Sequence, residues 1–171
     1  GPAAAPALEQ ALHGAAAPIR PALADGCLLA ADQLAATGKT AQAIAIYDRL
    51  RKVELPRALR VAAARGAILA RQADGAAILV EQLKGTDADL FGLALFLVRD
   101  ARNPGIVKAA AAQLAGLAPD KQVLLLQALA DRGDSAALAD VLRLTKSGPD
   151  PVRAAAILAL VKLTDAAVVP Q

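Results

Sequence analysis

The chain of 171 residues is poor in most of the side chains that perform chemistry. It holds one cysteine, one histidine, one asparagine and two serines, with no tryptophan and no methionine. Its aromatic residues are Tyr47, Phe91 and Phe96. Each scarcity excludes something. A lone Cys27 forms no internal disulfide, and one Cys with one His leaves too little for a zinc site. Residues that favour strands are scarce, which argues against a β-rich fold. The longest uncharged run is 11 residues, Ala109 to Pro119. A spanning helix needs roughly 18 or more, so no membrane insertion is expected. The formal net charge of +3 is too small to indicate nucleic acid by itself.

Alanine and leucine fill the space that remains: 46 Ala and 28 Leu account for 74 of 171 positions. A hydrophobic fraction of 56% is too high for a disordered chain. Both residues are strong helix formers, and their runs are separated by short breakers. The breaks are Thr37-Gly38-Lys39-Thr40, Leu55-Pro56, Asp74-Gly75, Lys84-Gly85-Thr86-Asp87, Asn103-Pro104-Gly105, Ala118-Pro119-Asp120, Gly133-Asp134 and Ser147 to Pro151. Several end in Asp or Thr, which can cap the following helix. Helices are expected near 6–14, 20–36, 40–53, 56–72, 75–84, 88–101, 104–117, 120–132, 134–146 and 150–163. Connections of two to five residues predict that neighbours lie antiparallel.

The chain also resembles itself. Leu69-Ala70-Arg71-Gln72-Ala73-Asp74-Gly75-Ala76-Ala77-Ile78 matches Leu129-Ala130-Asp131-Arg132-Gly133-Asp134-Ser135-Ala136-Ala137-Leu138, 60 residues later. The frame returns at Leu163-Thr164-Asp165-Ala166-Ala167-Val168, with a degenerate copy at Asn103-Pro104-Gly105-Ile106-Val107. The implied period is 29 to 31 residues, enough for two helices and two turns. Leu59-Arg60-Val61-Ala62-Ala63 and Val152-Arg153-Ala154-Ala155-Ala156 share a second frame.

These marks resemble the short HEAT repeats of the phycobilisome-lyase type, over about 56–171. The 88–101 and 120–132 segments lack the Arg of that pattern, which puts a continuous Asp–Arg ladder in doubt there. Ala30, Gly38, Ala43-Ile44, Tyr47 and Leu50 fall in the order of a tetratricopeptide repeat over 24–55, without its first-helix aromatic. An irregular HEAT pair stays open as the other reading of that stretch. Together the resemblances imply one all-α domain over 1–171. It would be a right-handed α-solenoid of nine or ten helices in antiparallel pairs, with residues 1–23 as an irregular or helical cap. They imply protein partners and a scaffolding role. Stacked pairs would share one continuous core, and the Ala bias suits close helix packing. The frame at 163–168 predicts a further repeat, so the native chain is expected to continue past Gln171. An exposed solenoid end would then favour self-association. Gly1-Pro2 is read as a protease scar, the Ala/Pro stretch after it fits a removed export signal, and the usage suggests a high-GC bacterial source; cytoplasmic and exported locations both stay open.

Candidate chemistry is sparse. Gly38-Lys39-Thr40 has the ending of a phosphate-binding loop, but that loop needs a glycine where Gln33 stands and a strand before it. Cys27, His13, Ser135 and Ser147 suggest no nucleophile–base pair. The turn carboxylates Asp74, Asp87, Asp89, Asp120, Asp134, Asp150 and Asp165 are explained by capping. No catalytic, cofactor or metal residue is therefore expected. Segment 48–71 carries +5 through Arg49, Arg51, Lys52, Arg57, Arg60, Arg65 and Arg71 against Asp48 and Glu54. Arg57, Arg60 and Arg71 fall within about 60° on a helix of about 100° per residue. The basic stripe 49–71 reads as a solvated face, or alternatively as a nucleic-acid or polyanion surface. The near absence of stacking residues argues against nucleic acid. The helices around Phe91 and Phe96 and around Leu124 are apolar on all sides, which means burial or a partner surface. Candidate partner contacts are thus Arg57, Arg60, Arg65, Arg71, Phe91 and Phe96. A tetrapyrrole lyase or chaperone role is the enzyme-class alternative that the HEAT resemblance implies. It would want aromatic or His contacts that the chain lacks.

Overall fold

The computed structural model describes residues 10–12, 14–100 and 103–168, with backbone alone at 104 and 165–168. The described residues are all helical in architecture, with no strand. Residues 10–12 and 14 are helical, whereas the rest of the expected 6–14 helix and His13 lie outside the description. Nine α-helices follow: α1 (Arg20–Ala36), α2 (Thr40–Leu50), α3 (Arg57–Ala70), α4 (Gly75–Lys84), α5 (Ala88–Asp100), α6 (Pro104–Ala111), α7 (Pro119–Arg132), α8 (Leu138–Leu144) and α9 (Asp150–Val168). Short 3-10 turns occupy Gln72–Asp74, Leu114–Gly116 and Ser135–Ala137.

The breakers act as their chemistry dictates. Gly38 and Gly133 sit at φ +78° and +70°, the left-handed conformation that ends α1 and α7. Asp87 caps α5, its Oδ1 accepting from the backbone N–H of Asp89 at 2.9 Å and of Leu90 at 3.2 Å. Asn103 and Asp134 accept in the same way from Gly105 and Ala136, each at 2.9 Å. Two expected helices are shorter than their sequence runs. The 104–117 segment ends its α-helix at Ala111 and passes through a 3-10 turn before the Ala118-Pro119 break. The 134–146 segment opens with a 3-10 turn, and its α-helical part is Leu138–Leu144.

The repeat joint expected at Thr164-Asp165 is not there. α9 runs unbroken from Asp150 to Val168. No Gly or Pro lies between Val152 and Val168 to stop it. Thr164 turns its hydroxyl back along the helix, donating to the carbonyls of Leu160 at 2.9 Å and Val161 at 3.0 Å. The repeat start expected near Asp165 therefore falls within a continuous helix.

The chain forms two compact units, Gly1–Ile78 and Leu79–Gln171, and the division falls within α4. In the first, α1, α2 and α3 each pack on the other two. Ala24, Ala31, Ala43, Ala63 and Ala67 are fully buried there beside Cys27, Leu50 and Ile68. Small side chains at helix contacts bring the axes close, and the larger ones fill the spaces between. In the second unit α5 packs on α7 and α7 on α9, while α6 and α8 with their 3-10 turns pack against that row. Ala94, Ala128 and Ala156 are buried beside Leu97, Leu125, Leu126, Leu129 and Leu163. Each buried Leu contributes about 1.5–3 kcal/mol through removal of its surface from water.

Candidate functional site: a groove in the first unit and an outward row in the second

In the first unit, Tyr47 on α2 is 2% exposed, and its hydroxyl donates to Asp32 on α1. Burial, with Asp32's hydrogen bond and charge, holds the phenol well above its ordinary range. Gly66 on α3 makes room for the ring, since a Cβ there would overlap it. Beside this contact lies a groove of about 350 Å³ between α1 and α3. Asp25, Leu28, Leu29 and Asp32 line one wall; Ala58, Leu59, Ala62, Arg65 and Gly66 line the other. Leu29 is 63% exposed, and the small residues of α3 keep the groove open.

The cations of the basic stripe meet different surroundings. Arg71 forms an ion pair with Asp48 and donates to the carbonyl of Ala67 at 3.0 Å, closing the end of α3. Arg51 lies 3.8 Å from the same carboxylate. Arg57 is exposed in the first turn of α3, Arg60 is half-buried, and Arg65 faces the α1–α3 groove. Gly38-Lys39-Thr40 is a turn between two helices, in which the Lys39 N–H donates to Leu34 at 2.9 Å.

In the second unit the two phenylalanines part company. Phe91 is 7% exposed and lies under Lys121, whose Nζ is 4.7 Å from the ring centre. The same ammonium donates to the carbonyls of Gly85 at 2.5 Å and Leu83 at 3.2 Å. Phe91 thus belongs to a structural clamp that ties α7 to the end of α4. Phe96 is 49% exposed.

Asp131 on α7 sets the frame around Phe96. It accepts from Arg99 Nε of α5 at 3.1 Å and from Lys162 Nζ of α9 at 3.0 Å. The two cations, Lys162 foremost, hold its carboxyl below the ordinary range. One carboxylate therefore registers three helices. Phe96 lies one turn before Arg99, Leu158 one turn before Lys162, and Leu124 two turns before Asp131, so each shares the face of its ladder residue. Leu124 is 42% exposed and Leu158 69%. Gly92 and Ala154, both exposed, continue the face with almost no side chain. The result is an apolar row across α5, α7 and α9, bordered by the Arg99–Asp131–Lys162 ladder. Ile157 and Val161, 53% and 55% exposed, extend it on α9.

Sequence reasoning selected Phe96 and marked the apolar helix around Leu124, but missed Leu158, Asp131 and Lys162 as companions. The repeat-pattern Arg153 bonds instead to Asp150 in its own first turn, at 2.6 Å. Cys27 is fully buried and its thiol is pushed up by burial, so it is held as the neutral thiol. Among the described residues no group of three or more His, Cys, Asp or Glu is placed to hold a metal ion, and no helix is long and apolar enough to cross a membrane. Comparison with protein-family models, with curated proteins and with solved structures finds no match to this chain.

Proposed function

We propose that this chain is a non-catalytic protein-binding module, an α-solenoid of HEAT-like helix pairs in a larger bacterial scaffolding protein. The observation that carries the reading is the solvent-facing row of Phe96, Leu124 and Leu158 on three helices packed in series. Large apolar side chains gathered on one face, beside a charged border, are what a partner surface requires. The serial packing of α5, α7 and α9, with intervening helices against them, supports the repeat reading.

The row suits an amphipathic helix or an extended apolar segment, with Arg99, Asp131 and Lys162 selecting polar groups at its edge. The polyanion alternative has less support, because Arg71 and Arg51 both face Asp48. The test is co-purification from the source organism using wild type and a Phe96→Asp, Leu124→Asp, Leu158→Asp variant. The variant should keep its helical content and lose its partners at least tenfold. Retention of the same partners by a folded variant would overturn the reading. A low-salt gel shift abolished by charge reversal at Arg57 and Arg60 would favour the polyanion alternative instead.

A further inference from the structure

We propose that the groove between α1 and α3 docks an amphipathic helix of a protein partner, basic along the flank that meets α1 and acidic along the flank that meets α3. The groove belongs to the first unit and shares no residue with the outward row. Its two walls repeat at helical spacing. Asp25, Leu28, Leu29 and Asp32 follow at i, i+3, i+4 and i+7 on α1. Ala58, Ala62 and Gly66 follow at i, i+4 and i+8 on α3. Each wall thus presents about two turns, roughly 10 Å of helix.

The floor is apolar and open. Leu29 is 63% exposed and Leu59 half-buried, so a partner's apolar side chains gain by covering them. The small residues of α3 let another helix come close. The 350 Å³ holds on the order of ten methyl-sized groups of about 30 Å³, or about two leucine side chains. A helix suits the groove better than an extended segment. The walls are helices, whose backbone groups bond within themselves, so a strand laid there would find no ladder partners for its N–H and C=O groups. A helix brings its backbone bonds with it. Charge then sets the flanks. Asp25 and Asp32 stand exposed on the α1 wall, two turns apart. Tyr47 donates to Oδ1 of Asp32, and a carboxylate accepts further bonds through its other oxygen. Arg65 stands exposed on the α3 wall, and its charge acts on the Tyr47 phenol, which places it toward the Asp32 end. A helix seated between the walls therefore meets carboxylates on one side and a guanidinium on the other. Lys or Arg about two turns apart answers the first, and Glu or Asp the second. The reverse arrangement is repelled on both sides, so the walls select as well as attract. The carboxylate wall also opposes an anionic membrane surface or a nucleic acid.

The experiment titrates the full chain into fluorescein-labelled synthetic helices of about five turns and follows their anisotropy at low salt. Two peptides share one leucine stripe. The first carries Lys on one flank and Glu on the other, and the second carries Glu on both. The first is expected to bind saturably, and the second about tenfold more weakly. Asp25→Lys, at an exposed position, should weaken the first peptide about tenfold and tighten the second, a swap that also certifies the variant as folded. Ala62→Trp, likewise exposed, fills the floor and should abolish binding of both while helical dichroism is unchanged. Equal affinity for the two peptides, no saturable binding of the first, or binding untouched by either variant would overturn the proposal. Equal binding of a first peptide broken by a central proline would overturn the helical occupant. Loss of binding in the Phe96→Asp, Leu124→Asp, Leu158→Asp variant would assign the peptide to the outward row instead, whereas retention there keeps the two sites separate. A dimer of the chain that Ala62→Trp converts to monomer would also overturn the proposal, by assigning the groove to a second copy.

Discussion

The two units solve the same packing problem with different materials. The first uses an aromatic ring: Tyr47 fills the space left by Gly66, and its hydroxyl reaches Asp32 across to another helix. In the second the buried ring, Phe91, lies beneath Lys121 beside the end of α4 and makes no such bond across helices. There the row of α5, α7 and α9 is held by interlocking Leu and Ala, with Asp131 as a charged tie on the surface. The first arrangement concentrates specificity in one contact, and the second distributes it along three helices. A single substitution should therefore disturb the two units very unequally.

The largest expected effect is at the ring. Gly66→Leu would force Tyr47 from its slot and cost about 2–3 kcal/mol, as overpacking does. Urea unfolding followed by circular dichroism checks it, and a loss below about 0.5 kcal/mol would contradict a closely fitted ring. Next is the clamp in the second unit. Lys121→Met keeps the aliphatic stem over Phe91 but removes two hydrogen bonds and the charge over the ring. A loss of about 1.5 kcal/mol is expected from the same measurement.

Alkaline titration separates the units further. The Tyr47 phenol titrates higher in the fold than in the unfolded chain, so its stabilising contribution is complete below the unfolded value of about 10. It is lost as pH rises through the folded value. A thermal-melt series above pH 10 should show a slope that Tyr47→Phe removes. The smallest effect belongs to the surface ladder. Asp131 titrates lower in the fold, so its contribution is present above the unfolded value of about 4 and fades as pH falls through the folded one. With its side chain 44% exposed, Asp131→Asn should cost only about 0.5 kcal/mol, and 1 M salt should erase most of that. An effect that survives high salt would mean the tie is more than a surface ion pair.

Helix positions were largely legible from punctuation. Gly38, Pro56, Asp87, Asn103 and Gly133 are where local geometry demands a break, and local geometry is what a sequence records directly. The returning frame at 163–168 was misleading because Leu-Thr-Asp-Ala-Ala fits a helix interior as well as a joint, and the choice depends on whether a breaker stands nearby. The candidate surface was only half legible. Phe91 and Phe96 look alike in an apolar run, but five residues amount to about 140° of rotation, so one faced inward and the other outward. Which is which depends on where α7 lies. The Asp131 ladder was invisible for a related reason: its partners are 32 and 31 residues away. Arg153, picked out by the repeat pattern, found a local acid one turn back.

Tyr47 has a use beyond packing. With no tryptophan in the chain, it is the only strong ultraviolet emitter, and it resides wholly in the first unit. Its phenol is bonded to a carboxylate, an acceptor that quenches tyrosine emission by drawing off the excited-state proton. Opening of that unit should therefore appear as a rise in fluorescence, while far-ultraviolet dichroism reports every helix. Coincident or separated transitions in the two signals would reveal, without any label, whether the halves of this molecule melt as one.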